Sequence, residues 1–321
     1  MVSWNGNIAK ITVPTPFAVG DVNVYLIKGE TLTLIDAGVK TKEAWELFTF
    51  QLSQLGYIPE DIEQVVLTHH HPDHVGFLEW LSDDIWIYGH PYCVPWLEKD
   101  ESFFASHDQF YYELFKEFGI EGDFQDSIKK WKSPLKYGAY RPITETIKER
   151  DTIPGLENWF VLETPGHAQS HLSFYRENDR TLIAGDHVLA TISSNPLLEP
   201  PLKAEEERPR PQLQYNASLK KLLNYDIHLT YTGHGADVSK VHSLIERRIQ
   251  RQHDRAMQVK AMLKEKPLST FEICKKLFPA VYQKELGLTL SETTAQLDYL
   301  LSLGEINKSM DANGVAYFFA N

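Results

Sequence analysis

The stretch "VVLTHHHPDHVG", residues 65–76, places His69, His70, His71, Asp73 and His74 within six positions, directly after a run of β-branched residues. A short apolar run of this kind reads as a buried strand, so the cluster sits where that strand ends. On an extended segment, side chains two apart point the same way, so His69 and His71 can grip one ion while His70 points elsewhere. Pro72 then turns the chain into a helix read over "VGFLEWL" (75–81), which carries Asp73 and His74 toward a second ion. Desolvating so much titratable chemistry without a metal is costly. Imidazole and carboxylate with no thiolate suit zinc, with manganese or iron as alternatives.

Three further apolar runs end in the same chemistry. "FVLETPGH" (160–167) ends in His167, "TLIAGD" (181–186) in Asp186, and "LTYTGH" (229–234) in His234. Four strands that each deliver an imidazole or carboxylate at the same end can bring them together on one edge of a sheet. The scattered His90, His107, His228, His242 and His253 read as structural.

The surrounding chain supports a layered α/β architecture. "VNVYLIKGE" (22–30) and "TLTLIDAG" (31–38) read as two strands joined by a tight turn. "TKEAWELFTFQLSQLG" (41–56) has helical apolar spacing and a glycine stop, and "IEQVVLT" (62–68) is the next strand. Residues 91–150 form an aromatic-rich, helical insert, which either packs its own rings or caps a site. "LSFYRENDRTLIAG" (172–185) reads as a hairpin turning at "ENDR". A proline- and charge-rich loop (193–211) and a helix near 212–224 follow.

After about residue 243 the order becomes three helices and a hairpin, which resembles a winged helix. The third helix opens its period at "SETT" and carries Glu292, Asp298 and Glu305 with no lysine or arginine. DNA recognition is therefore not expected of it. Packing or dimerisation suits it better.

The chain has 321 residues and a formal net charge of -12, which disfavours broad phosphate neutralisation on nucleic acid. Its two cysteines, Cys93 and Cys274, lie far apart and suit a reducing compartment. The start of the chain lacks the pattern of a signal peptide and no apolar run reaches membrane-spanning length, so a cytoplasmic location is expected.

"HHHPDH" fits the H-x-H-x-D-H signature of the metallo-β-lactamase superfamily, and "TPGH", "AGDH" and "TGHG" are similar to its later ligand motifs. "LIDAG" (34–38) also resembles the superfamily's early motif. The resemblance covers about residues 20–240 and implies an αββα four-layer sandwich. It places this domain at 1–245, including the insert, and a winged-helix-like domain at 246–321.

It further implies that His69, His71 and His167 hold one metal, that Asp73, His74 and His234 hold the other, and that Asp186 bridges them. Asp73 then counts as a catalytic group too. Asp36 would orient a ligand histidine from behind, unless it only forms a turn, and His171 and His187 are candidates for the pocket or for support of the ligands, His171 also for catalysis. Two zinc ions would acidify a shared water toward a pKa of about 7, and the hydroxide would attack an ester, thioester or lactone carbonyl.

Asp186 stands where common zinc β-lactamases place cysteine, and His71 stands where the diiron flavoproteins place glutamate. Both differences favour hydrolases of the glyoxalase II, lactonase or nuclease kind. The expected partner is a small acyl or lactone substrate, with a metal-dependent endoribonuclease acting on RNA as the alternative. A DNA-binding winged-helix regulator ranks last, no membrane partner is expected, and homo-oligomerisation stays open.

Overall fold

Alternation of apolar side chains along the strands builds the layers. In the computed structural model, which describes residues 2–120, 128–129, 132–203 and 206–321, the first sheet runs in chain order. Its strands are β1 (Trp4–Asn5), β2 (Ile8–Val13), β3 (Val22–Lys28), β4 (Leu32–Ile35), β5 (Gln64–Val66), β6 (Trp86–Gly89) and β7 (Glu145–Thr146). β1 to β4 pair antiparallel and β4 to β7 parallel. Helix α1 (Lys42–Gln54) makes the crossover from β4 to β5, capped by Thr41 and closed by Gly56 at φ +87.

The helix read over 75–81 instead begins at Pro72, as α2 (Pro72–Val75), and gives way at Gly76 to a 3-10 turn. Proline at the first helical position is pre-set for helix. Gly76 lies against the neighbouring loop so closely that a Cβ there would stand 2.1 Å from the Lys40 nitrogen. Asp73 and His74 thus occupy the first turn of a short, pinned helix.

The insert contributes α3 (Val94–Leu97), α4 (Glu101–Glu117), a helical pair at 128–129 and a 3-10 turn (Ser133–Tyr137). Its residues 121–127 and 130–131 lie outside the described residues, as do 204–205 of the proline-rich loop. The end of the stretch read as helical is instead strand β7, because Glu145 and Thr146 pair with Tyr88 and Gly89 at the edge of the first sheet.

The second sheet holds β8 (Thr152–Ile153), β9 (Leu156–Glu163), β10 (Leu172–Arg176), β11 (Thr181–Ile183) and β12 (Leu229–Tyr231), in the order β12-β11-β10-β9-β8. Leu34 and Val65 face outward onto Ala44, Phe48 and Leu52 of α1. Their neighbours Ile35 and Val66 face inward onto Trp159, Val161 and Phe174 of the second sheet. Leu162, Tyr175 and Leu182 turn outward again, onto α5 (Pro211–Leu222) and the start of α6 (Val241–Met262). This is the αββα order of layers.

Helix α6 runs unbroken across residue 245. Its first turns, with Val241, Leu244 and Ile245, belong to the second sheet's core, while Ala256 and Val259 belong to a C-terminal core. That core is completed by α7 (Thr270–Leu277), α8 (Leu286–Ser302) and a small sheet of β13 (Leu268–Ser269), β14 (Ile306–Met310) and β15 (Ala316–Ala320). Helix α8 starts before its "SETT" period, because Leu286 and Leu290 pack with Tyr111, Leu114 and Phe115 of α4. Its acids turn inward: Glu292 pairs with Arg255 at 2.8 Å and Asp298 with Arg208 at 2.7 Å. No helix among the described residues is long and apolar enough to cross a membrane.

Candidate metal centre

Strands β5, β9, β11 and β12 end on the same side, and the segments that follow them bring seven side chains into one cluster. The ligand atoms of His69, His71 and His167 all lie within 4.8 Å of one another, as do those of Asp73, His74 and His234. Asp186 stands between the two sets. Its Oδ2 is 3.5 Å from His167 Nε2 and 3.3 Å from His234 Nε2, and its Oδ1 is 3.5 Å from His74 Nε2.

Hydrogen bonds behind the cluster set the histidine tautomers. His167 Nδ1 donates to the Asn195 carbonyl at 2.9 Å, and His234 Nδ1 donates to the Asp21 carbonyl at 2.7 Å. A carbonyl only accepts, so both rings carry a proton on Nδ1 and turn Nε2 into the cluster. Asp36 does the same for two more rings. It accepts from the Thr68 N–H at 2.7 Å, from Thr68 Oγ1 at 2.8 Å and from His74 Nδ1 at 2.8 Å. With its only proton committed to Asp36, Thr68 Oγ1 accepts from His69 Nδ1 at 2.9 Å. Asp36 holds a left-handed φ of +60, which an aspartate tolerates and these bonds maintain.

The outcome is a set of buried atoms with no hydrogen-bond partner among the described residues: His69 Nε2, His74 Nε2, His167 Nε2, His234 Nε2 and Asp186 Oδ1. Orphaned polar atoms are rare in protein interiors and costly. Here they converge, and cations of the kind held by nitrogen and oxygen ligands fit them. The electrostatics agree. Burial pushes the His69, His71 and His167 pKa values down, which keeps those rings neutral and able to ligate. For His74 and His234, burial is outweighed by the adjoining carboxylates, which raise both, His234 to about 10. Asp73 and Asp186 are held low, against the effect of burial, by His74 and His234. The carboxylates attract positive charge to the same spot.

The profile of the metallo-beta-lactamase superfamily matches residues 18–234. The chain belongs to this superfamily. The Bacillus subtilis (strain 168) protein named probable metallo-hydrolase YqjP is 44% identical over 312 residues, covering 97% of each chain. Among solved structures, the metallo-beta-lactamase family protein TTHA1429 of Thermus thermophilus superposes with a TM-score of 0.82 at 25% identity, over 98% of this chain and 99% of that one. A beta-lactamase domain protein from Burkholderia ambifaria shares the fold, with a TM-score of 0.77 at 22% identity over 100% of this chain and 95% of that one. As a superfamily member the chain is a metallo-hydrolase, an enzyme with a histidine- and aspartate-rich candidate centre.

Two histidines that the sequence reading offered either to the pocket or to support of the ligands lie behind the centre. His171 does not face a pocket. It is buried behind Asp186, where its Nε2 accepts the Asp186 N–H at 3.1 Å and its Nδ1 lies 2.9 Å from Thr164 Oγ1. It is a positioning residue for the Asp186 backbone, since the tight "AGD" turn points that N–H back into the sheet. His187 packs its ring on Tyr215 of α5, with centroids 4.9 Å apart, and burial takes its pKa down to about 3. His90, His107, His228, His242 and His253 join no metal-ligating group among the described residues.

His70 turns away from the seven, against Trp96 and Ser170. Its ring stacks on Trp96 with centroids 4.3 Å apart, and its Nδ1 meets Ser170 Oγ at 2.8 Å. The Nε2 atoms of His70 and His71 each lie 3.9 Å from Glu199 Oε1. Glu199 is a residue the sequence reading missed, since a lone glutamate in a proline-rich loop gives no local signal. Burial pushes its carboxyl up to about 8. A cavity of about 200 Å³ opens here, lined by Glu199, Gln169, Trp96, Phe103 and Pro200. Thr68, Ser170 and Asn195 were missed for the same reason, because their partners are distant in sequence.

Proposed function

We propose that the chain uses two metal ions, zinc being the pair its ligands favour, to hydrolyse a small ester, thioester or lactone. The observation that carries this reading is the convergence of four histidine Nε2 atoms and Asp186 Oδ1, all buried and without a hydrogen-bond partner among the described residues, beside an aromatic cavity. His69, His71 and His167 would hold one ion, Asp73, His74 and His234 the other, and Asp186 would reach both. When bound, the pair supplies Lewis-acid polarisation of the substrate oxygen and acidifies water toward neutral pH.

The chain's own residues do the rest. Asp36 and Thr68 keep the His69 and His74 lone pairs aimed forward, while the Asn195 and Asp21 carbonyls do so for His167 and His234. His171 holds the Asp186 backbone. Trp96 and Phe103 offer an apolar wall for the acyl or leaving group, and Glu199 and Gln169 give that wall a polar end.

The net charge of -12 and the enclosed, inward-paired helix α8 favour a small carbonyl substrate over RNA or DNA. Within this reading residues 1–245 carry the chemistry, and the winged-helix-like unit 246–321 serves packing. Two unpaired, buried cysteines suit a reducing cytoplasm.

Elemental analysis of the purified protein, beside a panel of aryl esters, thioesters, lactones, a cephalosporin and single-stranded RNA, tests the proposal. About two zinc ions per chain with turnover of a carbonyl compound is the expected result. Cleavage of RNA alone transfers the centre to an endoribonuclease, and a protein that binds no metal overturns the reading.

A further inference from the structure

Away from the metal edge, helix α6 carries "ERRIQR" (246–251) in a chain whose net charge is -12. Leu244, Arg247, Arg248 and Arg251 follow one another at helical spacing and so share one face. With Ala190 and Thr191 they line a cleft of about 260 Å³. Arg248 is only 7% exposed, and its one hydrogen bond among the described residues runs from Nη2 to the Leu189 carbonyl at 3.0 Å. Arg247, Arg248 and Arg251 make no ion pair among the described residues. Arg255, one turn further along the same helix, is by contrast paired with Glu292 at 2.8 Å.

Three guanidinium groups therefore face one cleft, one of them buried, and none has an ion-pair partner among the described residues. Burying an unpaired charge beside two like charges is unfavourable. An anion in the cleft would relieve both penalties. The planar guanidinium fork matches the oxygens of phosphate, and phosphate carries close to two negative charges at neutral pH where a carboxylate carries one.

We propose that this cleft is a phosphate-binding site, taking a phosphate group either free in solution or carried by the substrate. The wall of the cleft adjoins the metal-bearing part of the chain. Arg248 holds Leu189, and Gln252 Nε2 donates to Ser193 Oγ at 3.2 Å. Both contacts lie on the segment that leaves Asp186 and reaches Asn195, whose carbonyl orients His167. A phosphate seated on the arginines would steady the segment between a bridging carboxylate and a ligand's support. The site stands on its own observation, whatever bond the enzyme hydrolyses.

Calorimetric titration of the metal-loaded enzyme with inorganic phosphate, at ionic strength held constant with chloride, reads the site directly. The wild-type protein should bind phosphate saturably, and Arg247→Gln with Arg251→Gln should weaken binding by about tenfold for each guanidinium lost. Both positions are exposed, and Arg248 stays in place to keep its bond to Leu189. Unchanged metal content and melting temperature in chloride verify the variant's fold. Phosphate affinity unaltered in the double variant would locate the anion at the metal pair and overturn the proposal, as would an absence of saturable binding.

Acyl thioesters with and without a phosphate on the thiol arm separate the two sources. A KM raised in the variant for the phosphate-bearing substrate alone assigns the site to substrate. A phosphate-dependent rate on the neutral substrate, lost in the variant, assigns it to free phosphate.

Discussion

The metal edge and the cavity wall beside it are held by different kinds of chain. The metal candidates follow the ends of four strands whose side chains lie in continuous, fully buried cores, and each oriented ring is fixed by a partner close behind it. The wall instead comes from α3, α4 and the irregular segments 187–203 and 206–210, and it is held by α4 and by the C-terminal helix α8. Tyr111 Oη donates to the Leu198 carbonyl at 2.5 Å, the Leu198 N–H donates to Ser291 Oγ at 3.2 Å, and Asn195 Nδ2 donates to the Leu288 carbonyl at 3.0 Å. On the proposed function the difference would separate reactivity from selectivity: the metal candidates sit on rigid strand ends, whereas the surface that would meet the rest of a substrate is a loop braced by the C-terminal helices.

The strongest way to break this contrast is at Asp186. Asp186→Ala should lose bound metal and reduce turnover by about 10³-fold or more, because one carboxylate adjoins both ligand sets. A variant that keeps its metal content and its rate would remove Asp186 from the centre.

Next in size is Phe115→Ala, in the core shared by α4 and the C-terminal helices. It should cost about 3–5 kcal/mol of stability and leave one cooperative unfolding transition. An early, separate melting of the C-terminal part, with the metal retained, would show that wall and edge are independent units.

Asp36→Asn keeps the left-handed backbone but loses the carboxylate that holds His74 and Thr68. Metal affinity, measured by chelator competition, should fall about 10- to 100-fold with the melting curve little changed. Unaltered affinity would make Asp36 a turn residue only.

Glu199 yields the smallest effect and a sign. Burial raises its carboxyl pKa from 4.5 to about 8, so in this window the folded protein keeps a proton that the unfolded chain has released. The metal-free protein should therefore lose stability as pH rises through that window, by up to about 1.4 kcal/mol per pH unit. Glu199→Gln should flatten this slope, and identical slopes for the two proteins would mean that the carboxyl is not held neutral.

Much of the metal edge was legible because its signals are local. Short apolar runs mark β3, β4 and β9, and the residues just beyond strands β5, β9, β11 and β12 carry ligand chemistry within a few positions of each strand end. Asp36 was singled out through the resemblance of "LIDAG" to the superfamily's early motif. The helix reading missed a break at Val75, which leaves the helical conformation at φ -127 while Gly76 beside it stays helical. Strand β7 was hidden inside the insert because two residues carry no periodicity, and its partner β6 lies far back in the chain. Helix α8 was read as starting late because its first turn is stabilised by α4, not by its own sequence.

By itself the sequence determined a layered α/β chain and the ligand chemistry at its strand ends, because apolar runs and strand-end residues act over a few positions, and its resemblance to the superfamily implied the αββα order. Only the tertiary structure decided the wall: that Glu199 comes beside His70 and His71, that Asn195 supports His167 while tied to α8, and that three arginines share a cleft with no ion pair among the described residues. These placements depend on contacts between segments tens of residues or more apart, whose closure is governed by packing of the whole chain and leaves no periodic trace in any one segment.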